Sequence, residues 1–340
     1  MVCITLGQAP ANIIIRMKLA VLGLGFMGSV HARAIGPRLA AVFDSDARRL
    51  TGDLTAVQGN LEGAGGTLDF SSVTPYSSLD ALLADPAIDA VDICLPTDLH
   101  ESVAIQALRA GKHVLVEKPM ALDGASARRI LAEAETCGRT LMTAQVLRFM
   151  PEYIALREAL AELGDVRGAM FHRRCATPAW GGWLKDPARS GGGVFDLLIH
   201  DVDMCLSLFG IPELVSATGL GDAIHAELFY HDGFVAVVAG GWEAAAAYPF
   251  RMEYRVSCDD GTVEYSSTGR APTLYTADEQ PLPLAANGGY AAEIDYFIAC
   301  CETGEPPDLC PPEESAQAVE LMRLLLEARE RNGEIITCDL

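Results

Sequence analysis

The chain has 340 residues, 50% of them hydrophobic and 21% charged, with 46 acidic against 25 basic side chains and a formal net charge of −21. That length suits two domains, each able to bury its own core. The acidity argues against nucleic acid or an anionic membrane surface as a partner, and no run approaches the 18 or so apolar residues of a membrane span. Ten cysteines are irregularly spaced and none forms C-x-x-C. They read as reduced thiols in a cytoplasmic protein without a zinc site. Residues 1–16 include Ile13, Ile14 and Ile15 but lack the basic start, long apolar core and cleavage site of a signal peptide. They read as an N-terminal extension, unless translation starts at Met17.

Leu19 to Leu22 reads as a buried strand. Gly23, Gly25 and Gly28 follow at G-x-G-x-x-G spacing, and Met27 to Ile35 reads as a helix. In a dinucleotide fold the first glycine makes the tight turn, the second admits a pyrophosphate and the third lets helix pack on strand. The helix N-terminus faces the phosphates. A second strand, Leu39 to Phe43, ends at Asp44, where the fold wants an acid for the ribose hydroxyls. Asp44 favours NAD over NADP, with Arg48 and Arg49 close enough to keep NADP as an alternative.

Weak helix signal from Ala47 runs into a glycine-rich loop, Gly59 to Gly66. A short helix (Leu79 to Leu83), a strand (Ala90 to Cys94), a helix (Glu101 to Ala110), a strand (His113 to Val116), a helix (Ala125 to Cys137) and a last strand (Thr140 to Ala144) complete the first half. Strands alternating with helices predict a doubly wound parallel sheet, with ligands beyond the strand ends at Gly23, Asp44, Leu95-Pro96-Thr97 and Glu117-Lys118-Pro119.

From about Pro151 the pattern changes. Strands are predicted at Val166–Arg173, Val215–Gly219, Ala226–Tyr230, Phe234–Val238, Arg251–Cys258 and Thr262–Ser266, with hairpin turns at Asp232-Gly233 and Asp260-Gly261. Helices are predicted at Gly193–Leu208, Tyr290–Cys301 and Glu313–Asn332. This predicts a C-terminal α+β domain with a mostly antiparallel open sheet.

Lys118, just past a buried strand at the cofactor end, suits a residue that stabilises alkoxide charge. Asp196 and His200 are four apart and share a helix face, which Asp203 extends; an imidazole beside a carboxylate can act as a general base. The opposite reading is a capping acid and a core histidine. Trp180 and Trp183 could stack on a sugar. Arg148 could hold a substrate anion or cap the interdomain contact. His31 reads as structural.

Together these stretches resemble the Gfo/Idh/MocA family of glucose–fructose oxidoreductase and inositol dehydrogenase. The matching residues are the Gly23/Gly25/Gly28 loop, Pro96 to His100, Gly111 to Pro119, Arg148 to Tyr153 and the Gly191 to Asp203 block. The resemblance implies a Rossmann domain at 17–147 and a substrate and oligomerisation domain at 148–340. It implies that Lys118, Asp196 and His200 form the catalytic group, and that Phe26, Met27, Leu95, Thr97, His100 and Glu117 lie against NAD. A cis Lys118–Pro119 bond and dimers or tetramers through the second sheet are also implied. The expected activity is hydride transfer between NAD(P) and a secondary alcohol of a sugar, cyclitol or related polyol. An NAD-dependent glycoside hydrolase and a non-catalytic NAD-sensing regulator are the alternatives.

Overall fold

The structure, a computed structural model, describes residues 17–60 and 64–340. The N-terminal extension and the middle of the glycine-rich loop lie outside the described residues.

The first sheet has six parallel strands: β1 (Leu19–Leu22), β2 (Leu39–Phe43), β3 (Thr74–Tyr76), β4 (Ala90–Ile93), β5 (His113–Glu117) and β6 (Leu141–Ala144). Their order is β3-β2-β1-β4-β5-β6, the doubly wound arrangement whose topological switch lies between β1 and β4. Helices α1 (Phe26–Ile35), α2 (Leu79–Leu83), α3 (His100–Arg109) and α4 (Gly124–Cys137) make the crossovers. All four residues of β1 and of β4 are buried, as helices on both faces require.

Two local readings need correction. The helix signal after Ala47 yields one 3-10 turn, Arg49–Thr51, closed by left-handed Gly52. The strand at Thr74–Tyr76 was not foreseen, because Pro75 depresses strand propensity and is tolerated only at a sheet edge, where β3 lies.

Helix α5 (Pro151–Leu160) leads into the second, nine-stranded sheet. Its strands are β7 (Val166–Ala176), β8 (Leu214–Thr218), β9 (Ala223–Phe229), β10 (Val235–Glu243), β11 (Arg251–Cys258), β12 (Thr262–Ser266), β13 (Arg270–Tyr275), β14 (Glu279–Pro281) and β15 (Ile336–Thr337). They run in the order β14-β13-β12-β11-β7-β10-β9-β8-β15. Only β7 and β10 pair in parallel; the other neighbours are antiparallel. The short α6 (Pro187–Ser190) precedes α7 (Gly193–Phe209), and α8 (Gly289–Thr303) and α9 (Pro312–Glu330) follow the sheet. Helices α7 and α9 pack on one sheet face, while α8 reaches back onto α1 of the first sheet. The three longest C-terminal helices thus lie within two residues of their predicted bounds. The edge strands β14 and β15 are short and lack a buried residue, and β13 beside β14 carries Pro272, so none of the three shows a strand signal in the sequence.

Candidate active site

A cleft of about 1070 Å³ opens where the strand ends of the first sheet face β7, β10 and α7. Its first wall is the glycine loop. Gly23 has φ +94°, and a Cβ on Gly28 would sit 1.8 Å from the Gly23 carbonyl oxygen, so only glycine lets α1 start this close to β1. Nothing lies within 4 Å of the Cβ position of Gly25, which leaves its backbone open to a ligand. Asp44 is buried at the end of β2. Its Oδ2 accepts from Leu24 N at 2.7 Å and from Arg49 Nη1 at 3.3 Å, and its Oδ1 accepts from Asp46 N at 2.7 Å. A free N-terminal helix turn, an unobstructed glycine and a fixed acid fit a dinucleotide's pyrophosphate and ribose.

Phe26, Met27, Leu95, Pro96, Thr97, Glu117 and Lys118 also line the cleft. His100 does not. It is buried, and its ring nitrogens lie 2.8 Å from the Leu95 and Pro119 carbonyl oxygens. It therefore ties the ends of β4 and β5 together instead of meeting a ligand, a correction to the expectation of direct cofactor contact.

The Lys118–Pro119 peptide is cis, as the resemblance implied. Glu117 Oε2 accepts from Lys118 N at 3.0 Å, and Lys118 Nζ crosses to α7, 3.0 Å from Asp196 Oδ1 and 2.8 Å from the Asp196 carbonyl oxygen. His200 lines the same cleft one turn further on. Its Nδ1 is buried without a partner. Burial, reinforced by the Lys118 and Arg173 cations, holds its pKa well below 6.5, so the imidazole is neutral.

A shared helix face predicts Asp196 against His200. The structure joins Asp196 to Lys118 instead. Side chains on a helix lean toward its N-terminus, and a carboxylate in the first turn of α7 meets an ammonium there, a stronger partner than a neutral ring. Asp203 leaves the cleft altogether. It forms a two-pronged pair with Arg148, 2.8 Å on each arm, and both side chains are 1% exposed. Arg148 also donates to Glu314 Oε2 at 2.6 Å and to the Leu309 carbonyl oxygen at 3.3 Å. Its guanidinium is occupied within the protein, so Arg148 is no substrate ligand.

Trp180 and Trp183 line the cleft, and Trp180 meets Phe26 edge-on at 5.8 Å across it. Arg189, just before the glycine block, pairs with Asp98 of the first domain at 2.9 Å. Within the block, a Cβ on Gly193 would lie 2.5 Å from the Trp242 ring; glycine there lets the third tryptophan of the chain press against the start of α7. Trp242, Tyr290, Phe250, Met252 and Arg173 were not singled out from sequence. A readable signal existed for Arg173, since it falls in phase with buried Ala169, Phe171 and Cys175 along β7. A charge in the apolar phase of a strand needs a partner.

Beneath the cleft, His31 is fully buried between two carboxylates, Asp92 at 2.8 Å and Glu117 at 3.2 Å. Burial opposes its charge, but Asp92, with Cys94 beside it, outweighs that and raises the pKa well above 6.5. The structural reading of His31 thus acquires a specific content: it braces the carboxylate that caps Lys118. His31, Asp92 and Cys94 are also close enough together for a metal site among the described residues, but Nδ1 already bonds Asp92 at 2.8 Å, while Nε2 lies 3.2 Å from Glu117 Oε1.

This architecture, a doubly wound nucleotide sheet closed by a lysine and a histidine from two domains, is that of an NAD-binding oxidoreductase. Residues 17–145 match the model described as oxidoreductase family, NAD-binding Rossmann fold, and residues 153–264 match the GFO/IDH/MocA C-terminal domain. The inositol 2-dehydrogenase of Rhizobium meliloti is 30% identical over 85% of this chain and 89% of its own length. The NADP-dependent D-xylose 1-dehydrogenase 2 of Haloferax volcanii is 29% identical over 77% and 84%. The solved UDP-N-acetylglucosamine 3-dehydrogenase of Acidithiobacillus ferrooxidans superposes with a TM-score of 0.77, 26% identity, and coverage of 93% and 98%. The chain belongs to the Gfo/Idh/MocA oxidoreductase family, and it is an NAD(P)-dependent enzyme acting on CH–OH groups.

Proposed function

We propose that the protein oxidises a secondary alcohol of a sugar, cyclitol or related polyol, or reduces the matching ketone, with Lys118, Asp196 and His200 as its catalytic group. The observation that carries this is the meeting of Lys118 and His200, from different domains, on the one cleft that the glycine loop opens into. When bound, the nicotinamide supplies a hydride acceptor. The chain's own residues handle the oxygen. His200, held neutral, accepts the hydroxyl proton on its ring. Lys118 donates to the same oxygen and stabilises its developing negative charge, and Asp196 fixes the direction of the Lys118 side chain. The relatives named for inositol, xylose and UDP-N-acetylglucosamine support a sugar or cyclitol substrate. A panel of sugars, cyclitols and sugar acids with NAD, read by reduced-cofactor absorbance, tests this. Aglycone release without net cofactor reduction would point to the glycosidase reaction instead, and cofactor binding without any turnover to a sensor.

We infer that NAD is preferred. Asp44 presents a carboxylate to the ribose and repels a 2′-phosphate, and Arg49 already faces Asp44. NAD is expected to bind about tenfold or more tightly than NADP, roughly 1.4 kcal/mol. Titration of both cofactors, monitored by intrinsic fluorescence, decides it; equal affinities would remove Asp44 as the selector.

Assembly through the second sheet is the remaining proposal. Met170, His172 and Arg174 alternate along β7 with the buried Ala169, Phe171 and Arg173, so they face away from the helices, and Met170 is 39% exposed. A dimer or tetramer is expected by light scattering at micromolar concentration, and a monomer there would contradict it.

A further inference from the structure

Hydroxyl groups both donate and accept, and a polyol pocket normally offers both kinds of partner. The substrate half of this cleft is short of acceptors: from the second domain, the described lining side chains offer only the Tyr290 hydroxyl, the neutral His200 ring and Asp196. Among its described lining residues from the second domain there is no asparagine, glutamine, serine, threonine or glutamate. The one aspartate, Asp196, is tied to Lys118. Donors, by contrast, are in excess. Arg173 is 2% exposed, and its Nε and Nη2 are fixed by Asp201 at 2.7 and 3.0 Å and by the Tyr153 hydroxyl at 3.2 Å. Its Nη1, with two N–H groups, has only the Met252 thioether at 3.6 Å, a weak acceptor. Trp242 is 8% exposed, and its Nε1 has no partner. The two residues belong to adjacent strands, with Gly240 opposite Arg173 and Trp242 opposite Cys175.

Buried donors without acceptors are costly unless a ligand supplies the acceptor. An ionised oxygen group accepts only, and it makes the stronger charge-assisted bonds. We propose that the substrate of this enzyme carries an anionic oxygen group, a carboxylate or a phosphate, bound by Arg173 Nη1 and Trp242 Nε1 beside the reacting carbon. The proposal rests on the dehydrogenase reading of the cleft and narrows its substrate class. Arg173 is held flat by Asp201 and Tyr153, so Nη1 is pre-aimed and loses little freedom on binding. Phe250, 5.9 Å beneath the guanidinium, and Met252 shield it from water, which strengthens the bond to an anion.

The test compares matched sets of a hexose, its uronate and its 6-phosphate. Cofactor reduction and calorimetric binding to the enzyme with NADH are both measured. One anionic set is expected to exceed the neutral sugar in kcat/KM by about tenfold or more, and the better of the two identifies the group. Arg173→Met is expected to raise KM for that substrate by about tenfold or more while changing KM for the neutral sugar by less than about threefold. Trp242→Phe keeps the ring, removes the donor and is expected to raise the same KM several-fold, so the proposal stays testable if Arg173→Met fails to fold. Neutral sugars used as well as the anions, no calorimetric binding of either anion, or equal losses for both substrates in the variants would overturn the inference. Those results leave the dehydrogenase reading standing. Absence of cofactor reduction with every sugar, alongside anion binding that Trp242→Phe weakens, would overturn that reading while supporting the anion site.

Discussion

Lys118→Ala and His200→Ala should each lower turnover by about 10²-fold or more, the scale of one lost charge-stabilising or acid–base group. Removal of the hydroxyl proton places negative charge on one substrate oxygen, which hydride departure then converts to a neutral carbonyl, and both residues line the cleft in which that oxygen must sit. Binding of NAD should survive both substitutions, because the glycine loop and Asp44 lie at the other end of the cleft. The pH dependence follows from the sign of the His200 shift. Its pKa lies well below 6.5 through burial and then the Lys118 and Arg173 cations, so the base remains unprotonated as pH falls through 6.5. The acidic limb of kcat/KM should therefore fall below pH 6.5 in the native enzyme. In Lys118→Ala one of the cations that depresses His200 is gone, and the residual activity should show that limb at higher pH. Rates near native for either variant on the true substrate would remove this mechanism while leaving the family assignment intact.

The largest stability effect should come from Arg148→Ala. The substitution leaves Asp203 buried and uncompensated; its carboxyl pKa is already raised by burial against the pull of Arg148. Breaking one side of such a pair costs about 3–5 kcal/mol. Arg148 also reaches Glu314 and the Leu309 carbonyl, so the loss loosens the junction between the turn at Val146–Phe149, helix α7 and the start of α9. Urea unfolding would register it as a fall in the midpoint with little change in slope. A loss under about 1 kcal/mol would mean that water reaches Asp203 once the guanidinium is gone. The double replacement of Arg148 and Asp203 by apolar residues of similar size should recover much of the stability, which separates the pair's removal from a general packing defect.

Much of the site was legible along the chain because its constraints are local. A glycine without room for a Cβ, an acid at the end of β2, and a lysine at the end of β5 are fixed by turn geometry and strand position, and Gly23, Gly28, Asp44 and Lys118 occupy those places. The long helices α7, α8 and α9 followed from apolar spacing. Partner choice is another matter, because it depends on what lies opposite in space. Asp196 and His200 share a helix face in any structure, yet the aspartate bonds Lys118, 78 residues away in sequence. Asp203 continues the same motif and bonds Arg148 in the core. His100 sits in a stretch resembling a cofactor contact, yet its ring is held by two backbone carbonyls, those of Leu95 and Pro119. Arg173 and Trp242 entered the cleft only when β7 and β10 paired in parallel, a contact between segments separated by helices and hairpins. The nucleotide fold, the cofactor end of the cleft and the strand-end position of Lys118 can be read along the chain, since each follows from short-range backbone and burial demands. Which ions pair and which donors are left without acceptors emerges only in the folded chain, since long-range packing sets the distances on which electrostatics depends.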